Sequence, residues 1–367
     1  MSRLTLSPFV GGDRQAPPRR RASTSERLAA TLAAGVLLAS GQAIAKEQQE
    51  PATFGDWVVG CDNQRSCVAI GMPSEDGQIG AYVRIARSGV RDDLPTVTIA
   101  YYTDKKVGNP QIVTTPAPAK DASQQGSFGS RCEDDFCIAT LRGADAMRFI
   151  DALRDAKTLT VALRAKVPTD ASVVSLKGSA AALLYVDDRQ QRIGTPSALL
   201  RRGTRAIATI PDVPALPQVQ ALTLTVPKTL PASAKQLPKA NEDCPQGTEP
   251  IAFQDARGAM LYGVCEIGGA YNMSYTMYLP STAAKTTGGS RKNGAPVAGD
   301  SLTNPWLNKD GKTLSTFDKG RGIGDCGASS DLAWTGTALV EVARSAMPVC
   351  KGVPMDAWPT TYRAAVR

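Results

Sequence analysis

The chain has 367 residues, with 42 Lys+Arg against 34 Asp+Glu and not one histidine. The missing histidine excludes Ser-His-Asp and Cys-His nucleophilic sites, histidine-bound metal and imidazole acid–base catalysis. Of the net +8, residues 1–45 carry six basic and two acidic side chains, leaving about +4 on the remainder. No dense Lys/Arg run interleaved with aromatics remains there, so nucleic acid is not an expected partner.

Residues 28–40, Leu28-Ala-Ala-Thr-Leu-Ala-Ala-Gly-Val-Leu-Leu-Ala-Ser40, form a short apolar run behind Arg19, Arg20, Arg21 and Arg27. Ala43-Ile-Ala45 follows, with small residues at the −3 and −1 positions. Basic flank, brief apolar core and small-residue site are the parts of a cleavable signal peptide, so residues 1–45 are read as one, cut after Ala45. Arg20-Arg21 lacks the apolar residues of a twin-arginine signal, and ordinary Sec export to the periplasm is expected. The run is shorter than the roughly 20 residues of a membrane span. No later stretch is apolar enough either, so no transmembrane anchor is expected in the mature chain.

Eight cysteines follow in close pairs, Cys61/Cys67, Cys132/Cys137, Cys244/Cys265 and Cys326/Cys350. An even count in an exported protein reads as four disulfides. Eight cysteines admit about 105 pairings. Nearest-neighbour bridges are expected because each pair brackets a predicted turn or hairpin.

The first unit, 51–205, opens on a strand at 54–61, Phe54-Gly-Asp-Trp-Val-Val-Gly-Cys61, which turns through Asp62–Ser66 into a partner at 68–71. Strands are predicted at 82–87 and 96–103 from β-branched and alternating residues, with a hairpin at 129–141 about Glu133-Asp-Asp135. Ala146, Phe149, Ile150 and Leu153 recur at helical spacing. Strands at 159–166 and 173–176 follow, then a second helix at 179–192 with Ala182, Tyr185 and Val186 inward. Residues 206–240 hold prolines at 211, 214, 217, 227, 231 and 238. They read as a semi-stiff linker with one short strand near 222–226. The second unit, 241–367, carries a hairpin about Gly268-Gly269. On its second strand Tyr271, Met273, Tyr275 and Met277 share one face. A loop is predicted at 282–299, and short strands at 313–317, 333–334 and 338–342. The expected fold class is mostly β (α+β): two disulfide-stapled β-rich domains, the first with two covering helices.

Cysteine and serine–lysine chemistry find no support, since Cys-x-x-Cys and Ser-x-x-Lys are both absent. Asp62, Glu266 and Asp325 lie beside cysteines and could form a carboxylate pair, though turn chemistry or charge pairing is the favoured reading. Asn308-Lys-Asp310-Gly311 resembles part of a calcium loop, but Trp306 and Phe317 occupy its first and last ligand positions. Lys319-Gly-Arg-Gly-Ile-Gly-Asp-Cys-Gly327 is the densest unusual segment. A phosphate cradle leads from a strand into a helix, whereas this segment continues toward Trp334 and another strand. It is read as a glycine-rich turn pinned by Cys326–Cys350, with Arg321 and Asp325 paired and Lys351 alongside. Arg321, Asp325, Lys351, Trp358 and Arg363 form the candidate interaction region. No catalytic residue, metal or cofactor is expected.

Several motifs carry a resemblance to bacterial domain of unknown function 1176: Phe54-x-x-Trp57 with Cys61-Asp-Asn63 and Cys67, Tyr271-Asn272, the 319–327 segment, Trp334, Cys350-Lys-Gly352 and Trp358-Pro-Thr-x-Tyr-Arg363. Lys351 stands where the family pattern leads one to expect Arg, which keeps the charge but loosens any bidentate contact. The first unit also resembles the invasion-associated locus B proteins of alphaproteobacteria, which implies an exported, disulfide-bearing, mostly β protein. Neither resemblance supplies a catalytic residue. The expected function is a non-enzymatic periplasmic binding or interaction module, its partner an envelope protein or glycan. The alternatives are a carboxylate-dependent hydrolase of envelope glycan, or an enzyme inhibitor.

Overall fold

The computed structural model describes residues 50–75, 80–108, 110–116, 126–164, 170–279 and 296–367, with backbone alone for 296–300. The signal segment with its Ala45 site, and the predicted loop up to residue 295, lie outside the described residues. Residues Glu47–Arg367 form one compact unit. Among the described residues the fold is mostly β with two α-helices, as the alternation and the apolar stripe imply.

Among the described residues, the first sheet is an antiparallel array ordered Ala52–Phe54, Trp57–Cys61, Cys67–Gly71, Ala81–Arg87, Thr96–Tyr102, Phe136–Arg142, Arg131–Glu133. Its inner face carries Trp57, Val59, Ile85, Val97 and Ile99, packed with both helices and a second sheet. That second sheet is ordered Ser172–Ser175, Thr158–Arg164, Gln111–Thr115, Gly126–Gly129. Helix Gly143–Leu153 buries Ala146, Phe149, Ile150 and Leu153, the predicted stripe. Helix Ser179–Arg189 buries Ala182, Leu183 and Val186, while Tyr185 is half-buried and meets the Phe54 ring at 5.7 Å.

The other face of the first sheet is not left to water. Val58, Ile70, Met72, Tyr82 and Ala100 pack against Cys326, Met347, Val353, Ala357 and Trp358 from the C-terminal half. This is why every residue of Trp57–Cys61 is buried. A strand covered on both faces reads as a continuous apolar run rather than an alternation.

The C-terminal half contains two five-stranded antiparallel sheets. One is ordered Leu224–Thr225, Ile251–Asp255, Met260–Gly268, Met273–Tyr278, Pro296–Thr303, and the other Trp306–Leu307, Thr313–Lys319, Gly327–Trp334, Leu339–Met347, Thr360–Arg363. Phe253, Leu261, Met277 and Leu302 of the first meet Leu314, Trp334 and Leu339 of the second in one core.

Residues 206–240 are held at intervals by both halves. Arg91 Nε donates to the Ile210 carbonyl at 2.9 Å and Arg65 Nη2 to that of Pro211 at 2.9 Å. The Ala365 amide donates to Pro217 at 2.8 Å and the Leu222 amide to Trp334 at 2.7 Å. Gln218–Val219 pairs in parallel with Ala365–Val366. Proline removes a donor but keeps its carbonyl acceptor, so a proline-rich segment is well suited to being gripped by arginines and edge amides.

All four nearest-neighbour disulfides are formed. Cys61 and Cys67 sit directly opposite each other in adjacent strands with Cα atoms 4.0 Å apart, and Cys132–Cys137 repeats that arrangement. Cys244–Cys265 ties an irregular segment to the strand Met260–Gly268, and Cys326–Cys350 spans 24 positions.

Candidate functional site

The 319–327 segment is the turn between the strands Thr313–Lys319 and Gly327–Trp334, with Lys319 opposite Gly327. It therefore has no helix behind it with which to cradle phosphate. The Gly320 amide donates to the Cys326 carbonyl at 2.8 Å, and the Gly324 amide to that of Arg321 at 2.9 Å. Two of its glycines are sterically required. A Cβ on Gly327, whose φ is +131°, would stand 2.0 Å from the Asp318 carbonyl oxygen, and one on Gly320 would stand 2.6 Å from Cys326 Sγ.

Arg321 grips Asp325 with both arms, Nε to Oδ1 at 2.6 Å and Nη2 to Oδ2 at 2.5 Å. The Gly352 amide adds a third donor to Oδ2 at 2.6 Å. Burial alone would raise the Asp325 pKa. The Arg321 hydrogen bonds, the Gly352 amide and the Arg321 charge together outweigh it and hold the carboxyl below its ordinary value. The same hydrogen bonds raise the pKa of Arg321. Asp325 is thus a fixed carboxylate. It also lies within 4.8 Å of both sulfurs of Cys326–Cys350, but sulfurs bonded to each other offer no thiolate to a metal.

Next to this pair, Lys351 points into the first half of the chain. Its Nζ donates to Asp56 Oδ1 at 3.1 Å and to the Pro73 and Ser74 carbonyls at 2.8 and 3.1 Å, with the side chain 6 % exposed. Three acceptors arranged around one point suit a tetrahedral ammonium better than a planar fork. Lysine at this position is therefore well matched to its surroundings.

Trp358 is buried, donates from Nε1 to the Val353 carbonyl at 2.8 Å and meets the Phe317 ring edge-on at 5.6 Å. Arg363 closes onto the first disulfide turn. Its Nε donates to Asp62 Oδ2 at 2.8 Å, its amide to Asn63 Oδ1 at 2.8 Å, and Asn63 Nδ2 returns a bond to its carbonyl at 2.9 Å. Asp62 Oδ1 meanwhile accepts the Gln64 and Ser66 amides, each at 2.9 Å, a turn built around a carboxylate. Glu266 is exposed and accepts a hydrogen bond from Thr276 on the neighbouring strand.

Each of the five candidate residues is thus engaged by other groups of the chain; Asp325, Lys351 and Trp358 are buried, whereas Arg363 keeps 52 % of its side chain exposed. The region also turns apolar side chains outward. Ile323 at the tip of the glycine-rich turn is 63 % exposed, and Tyr271 and Ile267 on the adjoining hairpin are 42 % and 58 % exposed. Tyr271 Oη donates to the Gly320 carbonyl at 3.3 Å and Asn272 Nδ2 to that of Lys319 at 2.9 Å, so the two tips form one surface. Sequence reasoning quoted Tyr271 but passed over Ile323. The available signal was an isoleucine between two glycines in a polar turn, where it has nothing to pack against.

Over 341 residues the chain is 26 % identical to the uncharacterized protein YpfG of Escherichia coli (strain K12), covering 84 % of this chain and 91 % of that one. A structural likeness to invasion associated protein B of Bartonella henselae covers 39 % of this chain and 99 % of that protein, at 19 % identity and a TM-score of 0.31. Residues 51–365 match the family described as protein of unknown function (DUF1176), and the chain belongs to that family.

Proposed function

We propose that this chain is an exported envelope protein that acts by binding a partner protein rather than by catalysis. The observation carrying this reading is that Arg321, Asp325, Lys351, Trp358 and Arg363 are each held by other groups of the same chain. A carboxylate fixed by a bidentate guanidinium and a backbone amide is suited to fastening a loop, not to delivering a proton. The outward tips, Ile323 with Tyr271 and Ile267, are apolar side chains mounted on disulfide-braced turns. Such patches suit contact with another protein. Export is supported by four disulfides, which persist in oxidising compartments, and by the arginine-flanked apolar run before Ala45.

Fractionation of cells making the protein should place it in the periplasm with an N-terminus near Lys46. Affinity capture from periplasmic extract should retain a partner with the wild type and lose it with Ile323→Ser. A hydrolytic activity on envelope glycan or peptide, abolished by Asp325→Asn in a folded protein, would replace binding with catalysis.

A further inference from the structure

The two C-terminal sheets pack through Met277 and Leu302 on one side and Leu314, Leu332 and Trp334 on the other. Beyond this core their facing surfaces turn polar. Side chains two apart on a strand share a face, as do directly opposed partners. Two residues from Met277, and opposite Leu302, the inward position is Tyr275. Two residues from Leu314 and Leu332, the inward positions are Thr316 and Ser330. These begin a row that crosses four strands in register, Thr316 opposite Ser330, Ser330 opposite Arg344 and Arg344 opposite Tyr362. Glu341 is paired with Leu332, next to this row, and its carboxylate accepts a hydrogen bond from Ser330 within it.

The depths of the two surfaces match. Asn272 Nδ2 donates across the sheets to Asp318 Oδ1 at 3.1 Å. Tyr275 lies three residues inward from that bridge and Thr316 two, each roughly 7–10 Å along its strand. Tyr275, Thr316, Ser330, Glu341, Arg344 and Tyr362 are all half-buried, neither sealed in the core nor fully exposed.

Several polar atoms of this row engage one another. Ser330 Oγ donates to Glu341 Oε1 at 2.8 Å, and Arg344 stands between Glu341 at 3.7 Å and Glu50 at 2.7 Å. Arg344 Nε is shielded from solvent and has no hydrogen-bond partner among the described residues. The Tyr275 hydroxyl meets the Met273 sulfur at 4.0 Å. Burial raises the pKa of both Tyr275 and Tyr362, so each stays a neutral hydroxyl.

We propose that this inter-sheet row, with Tyr275 and Tyr362 at its sides and Arg344, Glu341, Ser330 and Thr316 between them, is a binding site for a neutral, hydroxyl-rich ligand: a segment of uncharged glycan. The charge balance selects the class. Two carboxylates flank one guanidinium, so a phosphate or uronate would be repelled and a cation would compete with Arg344 itself. Sugar hydroxyls both donate and accept, matching a surface that mixes a carboxylate, a guanidinium and hydroxyls. Tyrosine rings supply apolar faces with a polar tip for the ring of a sugar. The site is separate from the Ile323 tip, and glycan binding goes beyond the protein-partner reading above.

Calorimetric titration of the full mature chain with chitotetraose, cellotetraose and maltotetraose tests the proposal, with an oligogalacturonate as the anionic control. At least one neutral tetrasaccharide should bind saturably and in preference to the anionic one. Arg344→Gln should weaken that binding at least tenfold and Tyr275→Phe several-fold, while Ile323→Ser leaves it unchanged. Tyr275→Phe keeps the ring and its packing, so it decides the matter if Arg344→Gln fails to fold. Absence of binding by all three neutral sugars, preference for the anionic one, or equal binding by the variants overturns the glycan site. A protein partner lost with Ile323→Ser would still stand after such a result, so the two readings fail separately.

Discussion

Lys351 donates to Asp56 at 3.1 Å across 295 positions of sequence, fastening the segment after Cys350 to the turn that opens the first sheet. Asp325, Gly352, Lys351 and Asp56 form a continuous line of contacts from the glycine-rich turn into the N-terminal half. Lys351 and Arg363 fasten the two halves of the chain, and Arg321–Asp325 fastens the glycine-rich turn to Gly352.

Lys351→Met should therefore destabilise the whole unit, because Asp56 and the Pro73 and Ser74 carbonyls lose their donor in a largely buried place. The expected cost is about 2–4 kcal/mol, measured as the loss in urea-unfolding free energy. A change under about 0.5 kcal/mol, the range of ordinary surface substitutions, would show that the contact holds nothing together.

Acid should weaken the fold through Asp325. Its folded pKa is lowered, so the unfolded state binds the proton more readily. The stability it contributes is present above the unfolded carboxyl value of about 4 and is lost as pH falls through the folded value. Asp255 shifts the same way: burial raises it, but Trp334 Nε1 at 3.2 Å and the Ala259 and Arg257 amides prevail. Urea midpoints at stepped pH should decline below about pH 4. Asp325→Asn should lose stability near neutrality and show a shallower acid decline. An unchanged acid slope in that variant would falsify the assignment.

The disulfides should differ in worth by loop length. Cys326–Cys350 closes a loop of 24 positions and Cys61–Cys67 one of 6. Chain entropy assigns about 3.5 kcal/mol to the longer and about 2.4 to the shorter. Paired Cys→Ala variants of each bridge, compared by urea unfolding, should rank in that order. The reverse order would mean that native packing at Cys61–Cys67 dominates over chain entropy.

A separate buried node anchors the second helix. Asp187, at 0 % exposure, pairs with Arg87 at 2.9 Å and accepts the Leu199 and Leu200 amides at 2.7 and 2.8 Å. Asp187→Ala leaves Arg87 charged and unpaired at 1 % exposure, and should cost about 3–5 kcal/mol. Thermal unfolding by circular dichroism should read this as a fall of roughly 4–8 °C, and a melting temperature within about 1 °C of wild type would refute it.

Local signals in the sequence marked what is local in the fold. The Gly268-Gly269 hairpin, the Ala146/Phe149/Ile150/Leu153 stripe and the four cysteine pairs each depend on residues within a few turns of one another. The strand Gly327–Trp334 was visible only at its end, because Gly-Ala-Ser-Ser-Asp has little strand preference. Its conformation is imposed by Thr313–Lys319 and Leu339–Met347 on either side. The strands Ile251–Asp255 and Thr360–Arg363 were missed for the same reason, being short and defined by their neighbours. The Arg321–Asp325 pair was legible at a spacing of four, whereas the partners of Lys351 and Arg363 lie some 300 positions away. The polar row between the C-terminal sheets was unreadable for want of that register.

The central claim is that the charged residues of the glycine-rich region hold the protein together while its apolar tip meets the partner. Quantitative capture of the partner from periplasmic extract tests it most directly, using wild type, Ile323→Ser and Asp325→Asn at a temperature where circular dichroism shows all three folded. The account predicts capture by Asp325→Asn at the wild-type level and little or none by Ile323→Ser. Full capture by Ile323→Ser, with loss of capture by folded Asp325→Asn, would contradict it.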